Sequence, residues 1–134
     1  MINALTIDVE DHYNLLSRDW LGKDMPPTEA VVTNTRRLLE LLDERSVRAT
    51  FVLRREVGES FPELIRAMVS GGHELGVHGY YHRQVFKMTP DEFRREVRDA
   101  KSILEDVAGI AMHGHRAPAF SIMPSTRWAL DVLA

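Results

Sequence analysis

Apolar and polar positions along this chain fall into short runs whose period switches repeatedly between that of a strand and that of a helix. Ala4 to Val9 is a short apolar run with β-branched members that stops at Asp8-Val9-Glu10-Asp11. It predicts a buried strand whose end carries three carboxylates. Residues 12–24 show no clean period, and Met25-Pro26-Pro27 marks them as a loop that Trp20 and Leu21 are expected to pack down. From Thr28 to Arg45, the positions of Val31, Leu38, Leu39, Leu41 and Leu42 fit a helix with one wide buried face. Glu29 near its start and Arg45 near its end suit the helix dipole. Val47 to Leu53 gives a second strand. Phe61-Pro62 opens a second helix carrying Leu64, Ile65, Met68 and Val69, which Gly71 stops. Glu74 to Val77 is a third strand, and Thr89-Pro90-Asp91-Glu92 has the form of a capping box with proline at the first helical position. The helix it starts places Phe93, Val97, Ala100, Leu104 and Val107 on one stripe and ends at Gly109. Ile110 to His115 makes a weaker fourth strand, and Ser125 is placed to cap a fourth helix through Trp128, Leu130 and Val132.

Strand followed by helix, four times over, predicts an α/β fold with a parallel sheet, either open in the flavodoxin manner or curved into a barrel. In both forms functional groups gather at the C-terminal ends of the strands. The polar clusters Asp8 to Asp11, His78 to His82 and His115-Arg116 fall at such ends.

With 134 residues, the chain has room for one domain, residues 1–134. No apolar run approaches the roughly 20 residues of a membrane span. The first residues lack the basic and apolar regions of a signal peptide, so a cytoplasmic location is expected. The absence of cysteine excludes a disulfide scaffold, thiolate metal sites and a cysteine nucleophile, so any metal must be held by His, Asp or Glu. A formal charge of -3 offers no basic surface for nucleic acid.

The six histidines include three, His73, His78 and His82, within ten residues. On an extended strand His78 and His82 stand about 13 Å apart, too far for one ion. A helical turn past the third strand would bring positions i and i+4 onto one face. His78, His82 and a carboxylate from the first strand end would then make a metal site with an open position, able to activate water. Alternation puts Asp8 and Glu10 on the same side, so that one could be a ligand and the other a general base. The competing reading is that Asp8, Glu10 and Asp11 cap the next segment or pair with Arg116. Arg116, two residues before Pro118, is either the partner that keeps a carboxylate ionised or a surface arginine before a turn. The charge run Arg94-Arg95-Glu96-Val97-Arg98-Asp99 reads as a solvated helix face.

Four pieces, in order, resemble the polysaccharide deacetylase family, whose domain is the NodB homology domain. They are Leu5 to Asp11, Val47-Arg48-Ala49-Thr50-Phe51, Gly72-His73-Glu74 with His78-Gly79-Tyr80-Tyr81-His82, and Arg116-Ala117-Pro118-Ala119-Phe120. Asp-Val-Glu-Asp is similar to the first motif of a bacterial subgroup associated with exopolysaccharide production. The resemblance implies a distorted seven- or eight-stranded β/α barrel, of which about four N-terminal β/α units are present, holding zinc or a similar divalent ion. It implies Asp8 as general base, Arg116 steadying it, His78 and His82 as metal ligands, and the Ala119 amide at the oxyanion. His73 and Glu74 would be structural. Where the family has adjacent aspartates Val9 intervenes, which leaves Glu10 or Asp11 as carboxylate ligand; strand parity favours Glu10. Ala119 replaces a common tyrosine. The family's later motifs, among them a histidine general acid, have no counterpart here, and His12, His113 and His115 do not take that role by position. The implied activity is hydrolytic removal of N-acetyl groups from a polysaccharide or oligosaccharide, weakened by truncation. A non-catalytic sugar- or partner-binding module and a metal-independent hydrolase of cyclic amides are the alternatives. A homo-oligomer or a missing C-terminal half is expected to cover the open side of the barrel.

Overall fold

Four strands, β1 (Thr6–Val9), β2 (Thr50–Leu53), β3 (Glu74–Val77) and β4 (Gly114–His115), lie parallel in the order β1-β2-β3-β4. The computed structural model describes residues 3–134. Six helices join and follow the strands: α1 (His12–Leu21), α2 (Glu29–Glu44), α3 (Arg55–Ser60), α4 (Pro62–Ser70), α5 (Pro90–Ala108) and α6 (Trp128–Leu133). Alternation along the strands sends Val9, Phe51, Leu53, Leu75 and Val77 to one face, into the main core with Leu42, Leu64, Ile65, Met68 and Leu104. The opposite parity carries Thr6, Asp8, Thr50, Glu74 and Gly76, with Val52 as its one large apolar side chain. Side chains from the helices thus cover an apolar face and leave a polar one, whereas a parallel sheet usually buries both. At Gly76 an added Cβ would lie 3.0 Å from the Gly114 carbonyl oxygen, so only glycine allows β3 and β4 to come this close.

One ion pair reports the shape of the sheet. Arg116, just past β4, donates to Asp8 and to the Thr6 hydroxyl, both on β1. On a flat sheet these outer strands would stand about 14 Å apart, three inter-strand spacings. An arginine side chain closes that gap only if the sheet curves, with its polar face concave.

Most elements form where the apolar pattern puts them. Helix α5 has the full capping box, with Thr89 Oγ1 accepting from the Glu92 amide and Glu92 accepting from the Thr89 amide, and it ends at left-handed Gly109. Helix α2 is capped by Thr28, and α4 begins at Pro62. The differences are local and have identifiable causes. Strand β2 starts at Thr50 because the Ala49 amide donates to His73 Nδ1 instead of a ladder partner. Strand β4 shrinks to two residues because the Met112 amide is taken by Glu105 Oε1 at 2.7 Å. Ser125 caps nothing; it lies in a 3-10 turn, Pro124–Thr126, whose buried Thr126 hydroxyl bonds the Ser121 carbonyl.

The largest difference is α1, which occupies residues expected to form a loop. Its amphipathic sense is inverted: Asn14 and Ser17 are buried, while Tyr13, Leu16 and Trp20 face solvent, Trp20 at 80% exposure. Trp20 and Leu21 therefore do not pack the segment down. Polar contacts hold it instead. Asp11 caps its start, Asn14 Oδ1 accepts from Arg54 Nη1 at 2.7 Å, and Arg18 Nη1 donates to Glu56 at 3.2 Å. No helix among the described residues is long and apolar enough to cross a membrane.

The core account predicts that Leu104→Ala, at a fully buried position packed against Gly58 of α3, destabilises the chain by about 2–5 kcal/mol in urea unfolding.

Candidate metal centre

Strand ends β1 and β3 supply the site. Asp8 and Glu10 share a side by parity. His78 follows β3 directly, and its amide still donates to the Leu53 carbonyl at 2.7 Å. Its ring is buried, with Nδ1 2.9 Å from the Arg116 carbonyl oxygen. A carbonyl only accepts, so Nδ1 carries the proton and Nε2 presents a bare lone pair inward. That Nε2 lies 3.7 Å from Glu10 Oε2 and 3.9 Å from Asp8 Oδ2, and His82 Nε2 lies 3.4 Å from the same Glu10 oxygen. The two rings are 5.3 Å apart, centroid to centroid.

The imidazoles do not converge through a helical turn. Residues 78–84 are irregular, and the reversal is made by Gly79 at φ +88° and His82 at φ +58°. A left-handed glycine directly after His78 stops any helix from starting there. For histidine a positive φ is an uncommon, costly conformation, of the kind that clusters at functional sites.

The donor set suits a divalent cation. Glu10 Oε2 is buried and has no hydrogen-bond partner, although an imidazole lone pair is aimed at it. One ligand atom from each of Glu10, His78 and His82 lies within 4.8 Å of the other two. Two donors at about 2.1 Å from a tetrahedral ion stand about 3.4 Å apart, close to the separations seen. Burial raises the Glu10 pKa; His78 and Arg54 oppose that and Asp8 adds to it. Such an environment costs stability unless a positive charge compensates.

Asp11 is directed elsewhere. Its Oδ1 accepts from the Tyr13 and Asn14 amides, and its Oδ2 from the Thr28 amide at 2.6 Å and from the Thr28 hydroxyl. Burial pushes its pKa up, but the Thr28 and amide bonds outweigh that and hold the carboxyl below its usual range. Of the two candidate carboxylates, Glu10 faces the imidazoles and Asp11 caps α1. Asp8 pairs with Arg116 at the rim. His73 Nδ1 accepts from the Ala49 amide, and Glu74 accepts from Thr50, so both hold strands together. Ala119 and Phe120 both have positive φ, and Phe120 stands 94% exposed.

One residue at the site escaped the sequence reading. Arg54 is fully buried and places its positive charge near Glu10 while bonding Asn14 and Glu56. The available signal was its position directly after β2, the one strand end whose polar residues were passed over. His115, the last residue of β4, is half-buried and edge-on to Phe93, with both ring nitrogens buried and neither hydrogen-bonded.

Comparison with known proteins settles the lineage. The signature described as polysaccharide deacetylase matches residues 23–133. The chain belongs to the polysaccharide deacetylase family. A peptidoglycan-N-acetylglucosamine deacetylase of Bacillus cereus is 33% identical over 98 residues, covering 72% of this chain and 36% of that protein. A chitooligosaccharide deacetylase of Bradyrhizobium is 32% identical over 97 residues, 72% of this chain and 42% of the relative. The chain thus spans well under half the length of either curated relative. Among solved structures, a presumed polysaccharide deacetylase from Mycobacterium smegmatis superposes with a TM-score of 0.81 at 31% identity, covering 98% of this chain and 46% of that one. The Bc1960 peptidoglycan N-acetylglucosamine deacetylase gives 0.72 at 29% identity, covering 96% and 51%. The family fold is a distorted β/α barrel, and the four β/α units here correspond to its N-terminal portion. The open flavodoxin-like arrangement is thereby excluded. Deacetylases of this family are generally metal-dependent. Asp8 and Glu10 precede the residues matched by the family signature, so their placement rests on the structure.

Burial and the nearby His78 lower the His115 pKa from 6.5 to about 4. The unfolded chain then takes up this proton first on acidification, so stability is full above pH 6.5 and lost towards pH 4. Urea unfolding across this window should show wild type losing up to about 3 kcal/mol more than His115→Gln. Parallel profiles would contradict the assignment.

Proposed function

We propose that the chain carries the metal-binding half-site of a hydrolase that removes N-acetyl groups from a carbohydrate polymer. The observation that carries this reading is the buried Glu10 Oε2, without a hydrogen bond, between two imidazole nitrogens at 3.4 and 3.7 Å. Glu10, His78 and His82 would hold a divalent ion, zinc by preference for this nitrogen and oxygen donor set. When bound, the ion supplies Lewis-acid chemistry: it draws charge from an amide carbonyl and makes water a stronger nucleophile at neutral pH.

The chain's own residues supply the rest. Asp8 stands 3.9 Å from His78 Nε2 without being needed as a ligand, so its carboxylate is placed to take the proton of the attacking water. Oxygen then bonds to the acetyl carbon, the C–N bond breaks, acetate leaves, and the sugar nitrogen takes up a proton to depart as the amine. Arg116 holds the Asp8 carboxyl group in one orientation, while its carbonyl fixes the proton on His78 Nδ1. The Ala119 amide, at a left-handed position just beyond, is assigned to the developing oxyanion. The named substrates of the two curated relatives, peptidoglycan N-acetylglucosamine and chitooligosaccharide, support an N-acetylated glucosamine polymer. The Asp8-Val9-Glu10-Asp11 motif supports a role in exopolysaccharide modification.

Calorimetric titration should show zinc binding in wild type and Asp8→Asn, and its loss in His82→Ala and Glu10→Gln. Acetate release from an N-acetylated chitooligosaccharide should require added metal and fall about 10²–10⁴-fold in Asp8→Asn. A chain that binds no divalent ion yet binds the oligosaccharide would replace this reading with a non-catalytic sugar-binding module.

A further inference from the structure

The backbone between His78 and His82 is held from outside. Its Gly79 carbonyl accepts from the Arg55 amide at 3.2 Å. The next two amides, of Tyr80 and Tyr81, both point to one oxygen, Glu96 Oε1, at 3.4 and 3.3 Å. Glu96 lies on α5, in a charge run whose pattern suggests a solvated face. Arg94, Arg98 and Asp99 are indeed exposed. Glu96 differs: its side chain is 11% exposed and folds into the turn, with its second oxygen 3.8 Å from Arg83 Nη1. The Arg55 guanidinium stacks on Tyr80 from another side, 3.4 Å from the ring centroid.

A loop with left-handed residues at Gly79 and His82 has no repeating backbone bonds to define it. Two consecutive amides converging on one anionic oxygen form a small concave cradle, and a carboxylate there fixes the path of the chain between them. We infer that Glu96 is a positioning residue for the metal centre: its carboxylate shapes the 79–82 turn and so sets where His82 Nε2 stands relative to His78 and Glu10. Glu96 acts through the backbone it holds, by way of the Tyr80 and Tyr81 amides. The inference rests on the metal-site reading for its functional consequence, but the loop anchoring stands or falls independently of it.

Two measurements on the whole chain separate these claims. In metal-free protein, the Tyr80 and Tyr81 amides should be protected from hydrogen exchange in wild type and in Glu96→Gln, which retains an accepting oxygen. They should exchange at least 10-fold faster in Glu96→Ala. Cobalt(II) titrations read by absorbance and calorimetry should then show affinity falling roughly 10- to 100-fold in Glu96→Ala. Glu96→Gln should recover most of it, and Asp99→Asn, which removes an exposed charge from the same helix, should leave it unchanged. Unaltered exchange of both amides in Glu96→Ala, or undiminished cobalt affinity with an unaltered spectrum, would overturn the inference. If wild type binds no cobalt while the amides respond as expected, the metal reading fails and the anchoring role of Glu96 is retained.

Discussion

His78 ties the ends of β2 and β3 to the segment that follows β4. Its amide is bonded to the end of β2, its Nδ1–H to the Arg116 carbonyl beyond β4, and the Arg116 guanidinium returns across the concave face to Asp8 on β1. The circuit passes through all four strand ends. It depends on sheet curvature, because Arg116 reaches Asp8 only if the outer strands approach one another. It also decides the chemistry, because a ring nitrogen committed to a carbonyl leaves the other one bare. Strand order, curvature, imidazole tautomer and carboxylate orientation are thus linked, and none is adjustable alone.

This circuit places acceptors where an isolated protein would avoid them. A buried Glu10 oxygen without a hydrogen bond, facing the bare His78 Nε2, raises the free energy of the metal-free chain. The surroundings reduce that cost only in part. Arg54, buried and bonded to Asn14 and Glu56, lends positive charge from a distance. The left-handed His82 adds backbone strain. Local conflicts of this kind, set within a core whose packing is otherwise regular, are the expected signature of a binding site.

How much of this was readable in the sequence depended on where the apolar pattern reported packing. Helices α2 and α5 carry apolar stripes that meet the sheet and have side-chain caps at their starts, so both were evident, as were β1 and β3. Helix α1 was hidden because polar bonds hold its buried face while Tyr13, Leu16 and Trp20 point outward, the reverse of the pattern that marks a helix. Strand β4 was overestimated because a side chain, Glu105, takes a backbone amide, which periodicity does not record. At the site, His78, His82, Asp8, Glu10 and Arg116 could be named from residue type, parity and order, and the structure brings them together. Strand parity favours Glu10 over Asp11 as ligand, and the hydrogen bonds that turn Asp11 towards α1 and Thr28 supply the physical reason. Arg54 and Glu96 carry no local motif; their roles arise from contacts between elements distant in sequence.

The central claim is that Glu10, His78 and His82 form one metal site with Asp8 left outside the ligand set. Anomalous diffraction from crystals grown with zinc tests it most directly. The account predicts a single strong peak about 2.0–2.1 Å from both imidazole Nε2 atoms and about 2.0–2.2 Å from Glu10 Oε2. Asp8 should still be paired with Arg116 in that crystal. No peak between the imidazoles, or a peak ligated by Asp8 or Asp11 in place of Glu10, would contradict it.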